Sequence, residues 1–476
     1  MSKPSPTRRD VLRDAGLSLA GAAFLPSVLT GSRPKLGRWR IDDALRVGIV
    51  GPGRRGSNLM ARMGYPSELA NATDQTISGV ELVAVCDTFL GNLRTASDAV
   101  SKVHDRPTEY RDYRLMLERE DLDAVVVATP DFSHAPIAQA AVEAGCDVYV
   151  EKCAANTADQ LRSLEAAVAK HGRIVQVGYQ LRENELYRQA KAIVERGWIG
   201  EVRLARMEVH RHGSNGALRH PLLEYGPAPE RADVEWELFL AGIAPEREYD
   251  AERYFEWRKF WDYGNGVCGD NQSHSVDAIE FVVGLGLPAS ATASGGVYHW
   301  GGARETPDVL SANVEYPDAG ISVNYMQTDS NSFGVPGTWL YGSEGTMHVS
   351  WELEVYPDRF SERYADSLEE GKLDPRRPMI HLKDPAAAKA MEGKASELWL
   401  AGRGAGGTTR SDGTFDTTRL HLENFFTSVR ERSTPTAPLE VARTSTIAAI
   451  MSAESYRTGR RVTLEDVGFA PEPTGG

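Results

Sequence analysis

The stretch RVGIVGPGRRG, residues 46–56, constrains this chain more than any other. A short apolar run feeds straight into Gly51, Gly53 and Gly56, and a helical pattern continues through Leu59, Met60 and Met63. Strand, glycine turn and helix in that order open a parallel α/β unit, with a backbone able to approach a pyrophosphate closely. The chain after residue 63 must then extend a sheet with helices on both its faces.

The downstream pattern does so. A second apolar run, VELVAVCD, ends in Asp87, where an acidic residue would grip the ribose 2′-hydroxyl of a dinucleotide. The gap from Gly56 is longer than usual, and GYPSELANATDQTISG accounts for it as a helix-to-strand insertion. A third run, DAVVVATP, stops at Thr129-Pro130; a helix then opens with Pro136 in its first turn and ends at Gly145. DVYVEK reads as a fourth strand, and Thr157 with Gln160 caps a helix that ends at Gly172. Short links between alternating strands and helices predict a Rossmann, doubly wound parallel sheet over residues 45–178.

Beyond that the texture changes. EVRLARMEV, ASATASGGVYHW, LSANVEY, GISVNYMQTD and TWLYGSEGTMHVSW are β-rich and joined by turns. They predict a second α/β domain, residues 179–465, on a large, mainly antiparallel open sheet. Residues 356–415, charged and broken by Pro and Gly, read as an insertion, and helical patterns at 419–432 and 440–458 close the fold. No internal repeat is present.

Composition narrows the partners. A net charge of −14 argues against nucleic acid and anionic membrane surfaces. The four cysteines, Cys86, Cys146, Cys153 and Cys268, show neither zinc-knuckle nor redox spacing, and no set of His, Cys and carboxylates shows a metal spacing. At the front of the chain, residues 1–32 have the order of a twin-arginine export signal. Arg8-Arg9 precede a Gly/Ala-rich apolar run too short for a membrane span, with no clean cleavage site after it.

Two segments can carry chemistry. Glu151-Lys152-Cys153 closes a buried strand at the sheet edge where ligands of such folds bind, and a lysine there could hold a substrate hydroxyl. In GDNQSHSVDAIEFVVG, helical spacing puts Asp270, His274 and Asp277 on one face. His274 could take a hydroxyl proton while Asp270 orients its ring. The bland reading, a solvent-reaching lysine and a solvated helix start, stays open at this point.

Taken in order, GIVGPGRRG, VVVATPDFSHAPIAQAAVEAGCDVYVEKC, QVGYQLRENELYRQAKAIVERGWIGEV and WRKFWDYGNGVCGDNQSHSVDAIEFVVG resemble the Gfo/Idh/MocA oxidoreductases. The resemblance runs from about residue 45 to 350 and resumes near His421. It implies a nicotinamide cofactor on the first domain and a sugar or cyclitol against the second domain's sheet. Gly51, Gly53 and Gly56 would take the pyrophosphate turn, flanked by Arg54 and Arg55, and Asp87 the adenosine ribose. Thr129, Pro130, His134 and Glu151 would line the nicotinamide side, with Lys152, Asp270 and His274 as the catalytic set. Tyr179, Arg182, Trp257 and Arg258 are pocket candidates by position alone. Cys153 stands where the family usually has proline.

The reading that results is an exported oxidoreductase passing a hydride to or from a carbon of a sugar, cyclitol or polyol. NAD is expected, because Asp87 would repel a 2′-phosphate, although Arg94 leaves NADP open. An enzyme outside the cytoplasmic nicotinamide pool should carry its cofactor tightly held. A homo-oligomer, dimer or tetramer, is expected through the C-terminal sheet, with the twin-arginine machinery as a transient partner. Two alternatives are an NAD-dependent glycosidase acting by transient oxidation and elimination, and a non-catalytic sugar-binding protein. Such glycosidases generally lack the lysine that Lys152 supplies here, and the intact trio argues against a binding protein.

Overall fold

The first apolar run forms β1 (Leu45–Val50), buried at every position but Arg46. A computed structural model describes residues 44–66, 76–213, 230–333, 337–383 and 416–469. The leader with Arg8-Arg9 and the 384–415 part of the insertion lie outside the described residues.

Strands β2 (Val80–Cys86), β3 (Thr108–Tyr110), β4 (Ala124–Val127), β5 (Asp147–Val150) and β6 (Val175–Val177) join β1 in the order β3-β2-β1-β4-β5-β6. Every pairing is parallel. The links are α1 (Arg54–Arg62), α2 (Leu90–Ser101), α3 (Tyr113–Arg119), α4 (Asp131–Glu143) and α5 (Ala158–His171). Strand order reverses between β1 and β4, which opens a crevice at the carboxyl ends of the strands.

Local chemistry explains most of the ends. Thr157 caps α5 by accepting from the Gln160 amide at 3.2 Å, and Gly172 ends it in the left-handed region at φ 61°. The expected start of α4 is corrected: the helix begins at Asp131, so Pro136 lies inside it rather than in its first turn. Proline cannot donate to the Phe132 carbonyl four residues back. The Gln160 side-chain amide donates to that carbonyl instead, at 3.0 Å, which makes the internal proline tolerable.

The second layer starts at a 3-10 turn, Gln180–Glu183, followed by α6 (Glu185–Glu195) and β7 (Val202–His212). Then come α7 (Trp236–Leu240), α8 (Ala251–Phe255), a π-turn at Cys268–Gln272 and α9 (Ser273–Val283). The remaining strands are β8 (Ser290–Gly296), β9 (Val309–Tyr316), β10 (Ile321–Thr328), β11 (Ser330–Asn331), β12 (Gly337–Gly342), β13 (Gly345–Val349), β14 (Glu352–Pro357), β15 (Ile380–Lys383) and β16 (Val462–Thr463). Their order is β15-β14-β13-β12-β7-β10-β9-β8-β16, with β11 beside β7. Only the β7–β10 pairing is parallel, so the sheet is mixed and mostly antiparallel.

Helices α10 (Ala365–Glu369), α11 (Thr417–Glu431) and α12 (Leu439–Thr458) are the remaining helices among the described residues. Although late in sequence, α11 packs on the first sheet: Leu422, Phe425, Phe426 and Val429 share a core with Val47, Ile49 and Val85. A second core joins both sheets, with Val148 and Val177 in one cluster with Val314, Val323, Ile447 and Met451. Among the described residues no helix is long and apolar enough to cross a membrane.

One buried ion pair crosses from the first sheet's last loop to α9. Arg182 Nε lies 3.0 Å from both Asp277 carboxylate oxygens, and Nη2 lies 2.7 Å from one of them. Both side chains are nearly inaccessible, at 6% and 1% exposed. Arg182→Met should therefore strand a buried carboxylate and cost about 3–5 kcal/mol in urea unfolding. Adding Asp277→Leu should recover most of that loss; a single variant as stable as the parent would refute the assignment.

Candidate active site at the carboxyl edge of the parallel sheet

The glycine turn has the shape a pyrophosphate requires. Gly51 sits at φ +79°, and a Cβ there would lie 2.7–2.9 Å from Thr129 and the Ala128 carbonyl carbon. A Cβ on Gly56 would run into the Gly51 carbonyl oxygen, so glycine lets α1 pack against the turn. Gly53 caps α1 with no side-chain acceptor, and no acid stands in the first turn. The positive end of the α1 dipole thus faces this turn with no acid beside it, as suits an anion. Arg54 is exposed, whereas Arg55 turns inward, 2.7 Å from Glu151 at the end of β5 and 2.8 Å from Asn58.

Asp87 closes β2 on the other side of this turn. Its carboxylate accepts from the Phe89 amide at 2.7 Å and the Asn92 side chain at 3.1 Å. Burial nevertheless pushes its pKa up to about 6. A pair of ribose hydroxyls donating to this carboxylate would offset that desolvation.

The nicotinamide side is built from the ends of β4 and β5. His134, on α4, holds one ring nitrogen 2.6 Å from the Thr129 carbonyl and the other 2.8 Å from the Cys153 carbonyl. This ring therefore ties the two strand ends together. Pro130 caps α4, and the Thr129 hydroxyl accepts from Ser133 at 2.8 Å. The Lys152–Cys153 peptide is cis, and burial raises the Cys153 thiol to about 12, so it stays a neutral packing group.

Lys152 reaches from β5 to the π-turn. Its Nζ donates to the Asp270 carbonyl at 2.7 Å and lies 3.1 Å from Asp270 Oδ1. Asp270 is also held by Arg258 Nε at 3.4 Å, Arg211 Nη2 at 3.2 Å and Asn271 Nδ2 at 3.1 Å. Arg258 in turn lies over the Trp257 ring, 4.1 Å from its centroid. His274 stands at the start of α9, its ring edge-on to Tyr179 with centroids 5.8 Å apart.

The other expected positions fall elsewhere. Tyr179 is fully buried, a wall behind His274, and Arg182 is committed to Asp277. Asp277 does not join Asp270: the wider π-turn ends between them, and each finds different partners. Two residues escaped the sequence reading. Arg211 bridges Asp270 and Asp329, and although its burial opposes the charge, those carboxylates raise its pKa overall. Asp131, at the head of α4, is buried beside Gly264 and Gly269, so its carboxyl pKa is raised. Their signals were present: an arginine at the inward parity of an alternating strand, and an acid directly after Thr129-Pro130.

The comparisons agree with this geometry. Residues 45–179 match the Gfo/Idh/MocA oxidoreductase family, NAD-binding Rossmann fold. This first domain is an NAD-binding one. An inositol 2-dehydrogenase of Salmonella paratyphi B is 37% identical over 158 residues, 33% of this chain and 43% of that protein. The chain thus spans less than half the length of the curated relative it matches. Solved structures share the fold over most of the chain. The WlbA dehydrogenase from Bordetella pertussis, in complex with NADH and UDP-GlcNAcA, has a TM-score of 0.58 at 20% identity. A myo-inositol 2-dehydrogenase from Lactobacillus plantarum has a TM-score of 0.56 at 18% identity. Each match covers 88% of this chain and 99% of the other.

The titration of Asp87 gives a direct check. A carboxylate must be ionised to accept from both ribose hydroxyls, so affinity should be full above its pKa and fall below it. NAD should bind about tenfold more weakly at pH 5 than at pH 7 by calorimetry, and Asp87→Asn should bind weakly with no such slope. An affinity flat with pH in the parent would remove Asp87 from the contact.

Proposed function

We propose that this protein is an exported, nicotinamide-dependent oxidoreductase acting on a CH–OH carbon of a sugar, cyclitol or related polyol. The observation that carries the reading is the Lys152–Asp270 contact, which sets an ammonium at the carboxyl edge of the parallel sheet. An ammonium has three N–H donors. Two are taken by Asp270, and the third remains for a substrate oxygen. Arg211 and Arg258 fix Asp270, so Lys152 is held from behind rather than left to swing.

NAD, when bound, supplies the hydride acceptor or donor. The glycine turn, the N-terminus of α1 and the carboxylate of Asp87 are the groups that would hold it. His274 takes the hydroxyl proton, and imidazole suits this role near neutral pH. Lys152 steadies the oxygen as its proton leaves. Asp87, with no room for a second negative charge, favours NAD over NADP. Relatives named for inositol and for a UDP-sugar acid complex support a polyhydroxylated substrate. Export rests on Arg8-Arg9 and the apolar run behind them, and it supports a cofactor held tightly enough to travel with the folded chain. The second sheet is proposed to join copies of the chain into an oligomer.

Lys152→Ala and His274→Ala should each lower turnover at least about a hundredfold, the usual scale for a lost acid–base group, while retaining NAD binding. Turnover close to the parent in either variant would return that residue to a structural role. Protein recovered from the exported fraction should release about one nicotinamide nucleotide per chain on denaturation, read by mass spectrometry; an empty exported protein would overturn the tight-cofactor reading.

A further inference from the structure

Asp87, the acid expected at the adenosine ribose, already has a neighbour from the second domain. The Tyr254 hydroxyl of α8 lies 3.5 Å from Asp87 Oδ1 and 2.8 Å from Thr88 Oγ1. Both Asp87 and Tyr254 are buried, at 6% and 8% exposed. Local chemistry fixes this short helix: Asp250 caps it by accepting from the Glu252 and Arg253 amides at 2.8 and 3.3 Å. Phe255, next along, meets the Phe89 ring edge-on with centroids 5.1 Å apart.

The segment that carries Tyr254 is fastened to the first domain at both ends of the span a dinucleotide would take. At the β2 end, the Glu235 amide donates to the Thr88 carbonyl at 2.8 Å, and Val234 forms an antiparallel bridge with Phe89. Arg111, whose charge also reaches Asp87, donates from Nη2 to the Thr88 and Asp233 carbonyls at 2.7 and 3.0 Å. At the β4 end, the Phe132 amide donates to the Tyr263 carbonyl at 3.2 Å. Phe239 joins the two ends, its ring centroid 4.7 Å from that of Tyr254 and 5.2 Å from that of Phe132. These ties leave the Tyr254 side chain little freedom, so its hydroxyl stays beside Asp87.

Packing alone would be served as well by phenylalanine, since a buried hydroxyl costs desolvation unless it is used. Thr88 can donate to the phenol oxygen, which leaves the phenol O–H for Asp87. Burial opposes the charge on that carboxylate, and a donated O–H favours the ionised form. We propose that Tyr254 is a positioning residue of the cofactor site, holding Asp87 ionised and aimed so that its carboxylate accepts from the adenosine ribose hydroxyls. The inference rests on the cofactor part of the proposed function and is indifferent to the substrate. The sequence hides it, because 167 residues separate the pair and only tertiary packing brings them together.

The test uses the full chain loaded with NADH and mixed with excess NAD, release being followed by NADH fluorescence. Tyr254→Phe removes one oxygen and keeps the ring. It should speed release by at least about tenfold, the scale of one hydrogen bond to a charged group, because such losses fall mainly on the off-rate. In competition with NADH, ADP-ribose should bind the variant more weakly by a similar factor, while nicotinamide mononucleotide, which lacks the adenosine ribose, should bind as it does to the parent. A general loosening of the fold would not separate the two. Tyr249→Phe, on the same segment but packed edge-on to Trp236, should release NADH at the parent's rate. Parental release by Tyr254→Phe, or equal losses for ADP-ribose and nicotinamide mononucleotide, would overturn this inference and leave the cofactor reading standing. A parent that binds neither NADH nor ADP-ribose would overturn both.

Discussion

The candidate site depends on one carboxylate being surrounded. Asp270 is contacted by Lys152, Arg211 and Arg258, and such a gathering of cations would be untenable around a single charge in a dry interior. Two further carboxylates make it tenable. Asp329 takes the other side of Arg211, and Asp131 lies near enough to Lys152 and Arg258 to feel both. With Arg304 on the far side of Asp329 and Asp308 near it, four cations face four carboxylates across the junction of the two sheets. The network is close to neutral as a whole, yet it keeps an ammonium at the carboxyl edge of the parallel sheet. Such an arrangement is organised before a substrate arrives, which is where electrostatic positioning has its effect.

The π-turn decides which groups belong to that network. An uninterrupted α-helix from Asp270 would have kept Asp277 on its face, two turns along. The wider turn at Cys268–Gln272 sets Asp270 towards Lys152, and Asp277 instead finds Arg182 on the far side of α9. The same segment brings Gly269 against the Asp131 carboxylate, where any side chain would collide. Deviations of this kind recur at functional sites because they re-aim side chains without breaking the helix.

Much of the fold was legible because it rests on local chemistry. The Gly51 turn, the Thr157 cap and the Gly172 stop each need a particular residue at a particular dihedral angle, and all three stand where the pattern puts them. The start of α4 was not legible. Proline favours a first turn, and only a tertiary contact, Gln160 on the Phe132 carbonyl, allows Pro136 inside the helix. Short, half-exposed β3 gives almost no apolar signal of its own. Within the site, Lys152 and Asp270 were singled out from the sequence, and the fold brings them together. Arg211 and Asp131 were missed because each is an ordinary residue locally and acquires meaning only from the element it faces.

The protein also shows how two ion pairs across one boundary come to differ. Arg182 and Asp277 are almost wholly inaccessible, and three hydrogen-bond contacts join the carboxylate to one guanidinium. That pair is closed to solvent, and it holds the first sheet's last loop against α9. Lys152 and Asp270 are only slightly more accessible, at 10% and 7%, but the ammonium makes two hydrogen bonds with its three N–H groups. The ammonium has a donor to spare, and it sits at the carboxyl edge of the parallel sheet, one strand from where the order reverses. Charge, burial and distance are therefore poor guides for telling the two pairs apart. The place of Lys152 at the carboxyl edge of the parallel sheet separates the one from the other.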